Sequence, residues 1–190
     1  MADLHFLGGG GALCFAGWIG RGTRGVDGDP VTAMIWEPTI DLGIVASNVA
    51  AVVRQRCPLP PAEPITALVC GGRDLDVRDY VHVARVLDAL HGAIAIGLVV
   101  HGGARGADRL AGRWAFARGI IARVFPADWS RHGKAAGMIR NRAMLEDGRP
   151  DVVVAFPGGR GTANMVALAL KRSVPVLRVD NRGAPELRWS

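Results

Sequence analysis

From Ile65 onward, short apolar runs alternate with longer stretches in which apolar residues recur at helical spacing. The runs are Ile65–Cys70 and residues 94–101, 120–125, 151–156 and 174–179. Runs this short and unbroken are the pattern of strands buried on both faces, as in a parallel sheet. Between them the spacing predicts helices over 77–90, 107–118, 134–146 and 162–171. The first offers Tyr80, Val83, Ala84, Val86, Leu87 and Leu90 as a broad apolar face, and the second places Leu110, Trp114 and Ala117 inward. Strict alternation of the two periods predicts an α/β fold: a doubly wound, mostly parallel five-stranded sheet with helices on both faces. In such sheets a ligand sits beyond the carboxyl ends of the strands, at the point where strand order reverses. The chemistry is therefore expected in the loops that follow the strands.

Residues 1–63 lack this regularity and read as an N-terminal extension to a domain spanning 64–182, with 183–190 as a tail. Gly8-Gly9-Gly10-Gly11 and residues 21–25 read as flexible loops. Ile44, Val45, Val49, Val52 and Val53 predict a helix over Leu42–Arg56 that packs on the main domain. Cys57-Pro58-Leu59-Pro60-Pro61-Ala62-Glu63-Pro64 is a stiff linker and marks the domain boundary.

Two glycine loops follow apolar runs. Pro157-Gly158-Gly159-Arg160-Gly161-Thr162 joins a strand to a helix, and His101-Gly102-Gly103-Ala104-Arg105-Gly106-Ala107-Asp108 does the same earlier in the chain. Glycines let the backbone approach an anion, and a helix N-terminus adds about half a positive charge. Phosphate contacts are expected from Gly102, Gly103, Ala104, Gly106, Gly158, Gly159 and Gly161, with Thr162 as helix cap or hydroxyl donor. The first strand end adds Gly71, Gly72 and Arg73. Lys134, Arg140 and Asn141 join from the helix over 134–146; Arg140 lies beside Met138, Ile139 and Met144, where a cation needs a partner. Asp108 has two readings, a favourable charge at a helix start or an acceptor for ribose hydroxyls. Trp129 either packs or stacks on a base. Arg140, Asp108 and Asp128 are the catalytic candidates if there is catalysis, and His101 reads as a core or rim imidazole. No spacing suggests a nucleophilic triad or a metal site.

The formal net charge of +6 raises the question of nucleic acid. The basic residues are nearly all arginine, with Lys134 and Lys171 the lysines, and they form no dense run. Nucleic acid is therefore the less expected partner, and a small phosphorylated ligand is favoured. Cys14, Cys57 and Cys70 are too scattered for a metal or disulfide framework, which fits a reducing compartment. The start has no basic leader, and no window approaches the ~18 apolar residues of a membrane span. A cytoplasmic location is expected.

The segments 70–74, 101–108, 126–129, 136–144 and 157–162 together resemble the YspA/cpYpsA-related branch of the SLOG superfamily of Rossmann-like domains. The resemblance covers 65–180. It implies a domain that binds nucleotides or nucleotide-derived ligands such as ADP-ribose, as a sensor or processing unit in bacterial and phage conflict systems, with no required cofactor. The lonely-guy-type phosphoribohydrolases, which release a base from nucleoside monophosphates, are similar at Pro157-Gly158-Gly159-Arg160-Gly161-Thr162 and at Arg140. Their motif glutamate, however, falls on Met165, and the lysine after the arginine on Asn141. Loss of that glutamate removes the carboxylate that supports glycosidic cleavage. Hydrolysis is thus the alternative to ligand sensing, and single-stranded DNA binding a further one. The hydrolase relatives also suggest a homo-oligomer paired through the helices over 107–118 and 134–146.

Overall fold

The computed structural model describes residues 41–56 and 63–179, together with the backbone of a strand at 185–188. The loops expected at 8–11 and 21–25, and most of the linker, lie outside the described residues. Helix α1 (Leu42–Arg56) comes first, then β1 (Ile65–Cys70), α2 (Tyr80–Ala93), β2 (Ile96–His101), α3 (Ala107–Ala117) and β3 (Ile121–Val124). A short α4 (Trp129–His132), α5 (Ala136–Glu146), β4 (Val152–Ala155), α6 (Arg160–Lys171), β5 (Val176–Val179) and β6 (Pro185–Arg188) complete the order.

The sheet order is β3-β2-β1-β4-β5-β6. The first five strands are parallel, so the doubly wound sheet expected from the alternation is present. Strand order reverses between β1 and β4, which pair with Ala67 opposite Val152 and Cys70 opposite Ala155. Alternate residues of these strands enter two cores. Ala67, Val69, Val152 and Val154 face one core, filled from α1, α2 and α3; Leu68, Cys70, Val153 and Ala155 face the other, filled from α5 and α6. Helices therefore cover both faces. Helix α1 packs on α2 through buried Val45, Val49 and Val53. Among the described residues, no helix is long and apolar enough to cross a membrane.

Four details differ from the expectation. The tail contains β6, antiparallel to β5, as a sixth strand. Residues 120–125 do not give a buried strand: β3 is the sheet edge and all four of its residues are exposed. The helix expected over 134–146 is divided. Gly133, at φ +48°, ends α4 and opens a 3-10 turn before α5 begins. On α3, the inward positions are Ala107, Leu110, Ala111, Trp114 and Ala115, while Ala117 faces solvent.

Candidate functional site

The loops after β1, β2 and β4 interlock before they form anything else. The Gly72 amide donates to the Pro157 carbonyl at 2.7 Å, and the Gly72 carbonyl accepts from the Ala107 amide at 3.1 Å. A methyl on Gly71 would meet the Ala107 Cβ at 2.6 Å, and one on Gly106 would strike the Gly72 carbonyl. One on Gly158 would strike Thr162 Oγ1 and come within 2.7 Å of the Gly72 nitrogen. These glycines are small because three backbones cross. Gly106 and Gly158, expected to touch phosphate, do not line the hollow above; Gly71 and Gly72 do.

That hollow has two chambers, of about 660 Å³ and about 380 Å³. Arg73, Ala104, Trp129 and Arg140 form walls of both. The larger is also lined by Asp108, Lys134, Asn141, Gly159, Arg160, Gly161 and Thr162, the smaller by Gly102, Gly103, Arg105, Pro126 and Ala127. The first turn of α6 opens into the larger chamber. Its N-cap is Gly159, which supplies no side chain, so the leading amides have neither an intrahelical acceptor nor a cap. The helix starts at Arg160, two residues earlier than expected, so Gly161 and Thr162 belong to its first turn. This is an anion-binding geometry, with Lys134, Arg140 and Arg160 around it.

The second glycine loop is different. The amides of Gly102 and Ala104 both donate to Asp108 Oδ2 at 3.1 Å, and the Gly103 amide donates to His101 Nδ1 at 3.1 Å. These three N–H groups face protein acceptors rather than the chambers, which corrects the expectation that Gly102, Gly103 and Ala104 cradle a phosphate. Asp108 stands in the first turn of α3, as one of its two sequence readings had it, and its carboxylate also tethers this loop. It is 6% exposed, and burial raises its pKa against the two amide bonds and the Arg140 charge, which lower it. Arg140 lies against the Gly102 backbone, with Nη1 3.7 Å from Asp108 Oδ2. Its Nε is buried without a hydrogen-bond partner among the described residues, and burial lowers its pKa. A cation this incompletely satisfied, on the wall of both chambers, suits an added anion.

Asn141 is 4% exposed and donates Nδ2 to the Gly161 carbonyl at 3.0 Å and to Asn164 Oδ1 at 3.1 Å. It clamps α5 to the start of α6, and both its protons are committed, so it has none to give a phosphate. Asp128 is not in either wall. It caps α4, accepting from the Arg131 amide at 2.9 Å and from Ser130 Oγ at 2.6 Å, and these bonds lower its pKa. That commitment removes it from the catalytic candidates. Trp129 is half exposed, with the Arg73 guanidinium 5.6 Å from its ring centroid. Cys70, beneath the larger chamber, is a core thiol whose pKa burial pushes up to about 12. Met165 is fully buried in the α5–α6 core with Leu68 and Met144 and is not among the residues lining either chamber, so the motif position that carries glutamate in hydrolases holds a core side chain here. Asp74, Arg105 and Arg160 are wall residues absent from the sequence-based set, though each lies inside a segment already singled out. No group of three or more His, Cys, Asp or Glu able to hold a metal gathers among the described residues.

Residues 66–132, from β1 through α4, match the YspA, cpYpsA-related SLOG family. The Gene 61 protein of Mycobacterium phage D29 is 39% identical over 122 residues, which cover 60% of this chain and 96% of that protein. The family match takes in the β1 and β2 loops, Asp108 and Trp129. The chain therefore belongs to the YspA, cpYpsA-related SLOG family, whose domain points to a nucleotide-related function.

Proposed function

We propose that the hollow binds a nucleotide or nucleotide-derived ligand, with a phosphate at the first turn of α6 and the sugar and base extending toward Trp129. The observation that carries this is the uncapped α6 N-terminus opening into a chamber lined by Lys134, Arg140 and Arg160. Thr162 supplies a hydroxyl in the same turn, and the Arg73–Trp129 pair offers a stacking surface. The protein then acts as a ligand sensor, of the kind the family resemblance implies for bacterial and phage conflict systems. Cleavage of a glycosidic bond is disfavoured because Met165 is core, Asp128 is a helix cap and Asp108 tethers a loop.

Calorimetric titration with AMP, ADP-ribose and NAD tests the reading. At least one binds, and Arg140→Ala weakens that binding tenfold or more, as expected for loss of a charge-assisted contact. No binding of any of the three at millimolar concentration would overturn it. Incubation of the protein with the bound nucleotide releases no free base; detectable base release would favour the hydrolase.

A further inference from the structure

We propose that the outer face of α3 is a docking track for single-stranded nucleic acid, a partner beyond the small ligand of the hollow. Arg105, Arg109 and Arg113 are all exposed and follow one another at four-residue intervals, with α3 beginning at Ala107. Four residues carry a helix about 40° past a full turn and about 6 Å along its axis, so Arg109 and Arg113 stand one turn apart on α3, and Arg105 lies in the loop just ahead of the N-cap Gly106. Phe116, three residues beyond Arg113, returns to the same side of α3 and is 88% exposed. An aromatic interleaved with cations is absent from the linear sequence as a run; helical register assembles it.

None of these arginines meets a carboxylate among the described residues, whereas Arg118, the C-cap of α3, pairs with Asp88. Arg113 lies 4.9 Å over the Tyr80 ring, a contact that leaves its charge unneutralised. Like charges one turn apart weaken a helix, and α3 gains nothing from them, since its packing comes from Leu110, Ala111, Trp114 and Ala115. Arg105 also lines the smaller chamber, so the series starts at the rim of the hollow. Regularly spaced cations recognise a polyanion, and a bare phenyl among them recognises unpaired bases by stacking. An acidic protein surface would use the arginines and leave Phe116 idle.

Fluorescence anisotropy with labelled single-stranded DNA and RNA of about 15 nucleotides tests this. Both strands bind, and affinity falls steeply between 50 and 200 mM salt, roughly in proportion to the phosphates contacted. Arg109→Glu with Arg113→Glu loses tenfold or more in affinity and flattens the salt slope. Phe116→Ala loses severalfold with the slope unchanged. AMP titration of the same variants reports the hollow and the fold, and stays at the parent value. Parent-like strand affinity in the variants would sink the proposal. So would duplex bound as tightly as single strand, or equal competition by an acidic peptide. Because the readouts are separate, failure of AMP, ADP-ribose and NAD all to bind the parent overturns the hollow reading and leaves this one standing.

Discussion

His101 holds the Gly103 amide on Nδ1, so its own proton sits on Nε2 and the ring is neutral. Burial lowers its pKa and the Arg140 charge lowers it further, while Asp108 opposes both. A lowered base binds fewer protons folded than unfolded, so its contribution is present above the unfolded pKa near 6.5 and is lost as pH falls below it. The parent is therefore expected to lose thermal stability between pH 7.5 and pH 5.5. His101→Gln, which still offers an acceptor to Gly103, flattens that slope; melting curves of both proteins at the two pH values check it. Asp108, raised by burial rather than lowered, acts in the opposite sense. At this scale the sequence showed which residues gather but not what each does. A glycine that lets a phosphate approach and one that lets a backbone cross, such as Gly158, are the same letter. Asp108 could not be read as a tether, because its acceptors' partners, the amides of Gly102 and Ala104, carry no side-chain signal.

The N-terminal turn of α6 allows stability and binding to be separated. A methyl at Gly158 meets the Gly72 nitrogen at 2.7 Å and Thr162, whereas one at Gly161 meets nothing within 4 Å. Gly158→Ala should cost roughly 1–3 kcal/mol, read from the denaturant midpoint, because two backbones must part. Gly161→Ala should be neutral or stabilising by up to about 1 kcal/mol, since alanine is the better helix residue. The same methyl stands in the chamber wall, so Gly161→Ala should weaken AMP binding severalfold; equal effects of the two substitutions on stability would refute the assignment. Strands β1, β2 and β4 and helices α2, α3 and α6 were legible because their apolar spacing is long and regular. Strand β6 was not: four residues beginning with proline make no apolar run, and its pairing with β5 is a tertiary event. Nor was the break before α5, since Gly133 reads as an ordinary loop glycine until its φ is known.

Across the whole molecule, the decisive arrangement is the adjacency of β1 and β4 at the centre of the sheet. It brings loops from residues 71–74 and 157–162 together across a long stretch of chain, and periodicity carries no information about such neighbours. The general rule for doubly wound sheets located the hollow; the structure added that one of its two glycine loops has its amides turned inward. Cys70 ends β1 at this junction, 7% exposed, with a thiol that stays protonated at neutral pH. In a Cys14→Ser, Cys57→Ser background it would be the sole thiol, and a disulfide reagent should label it only when the central strands separate. Labelling at the rate of unfolding, slowed further by saturating nucleotide, is the expected result; immediate labelling of the native protein would contradict the burial described. The chain thus carries its own stopwatch, one sulfur atom whose silence times how long the middle of the sheet stays shut.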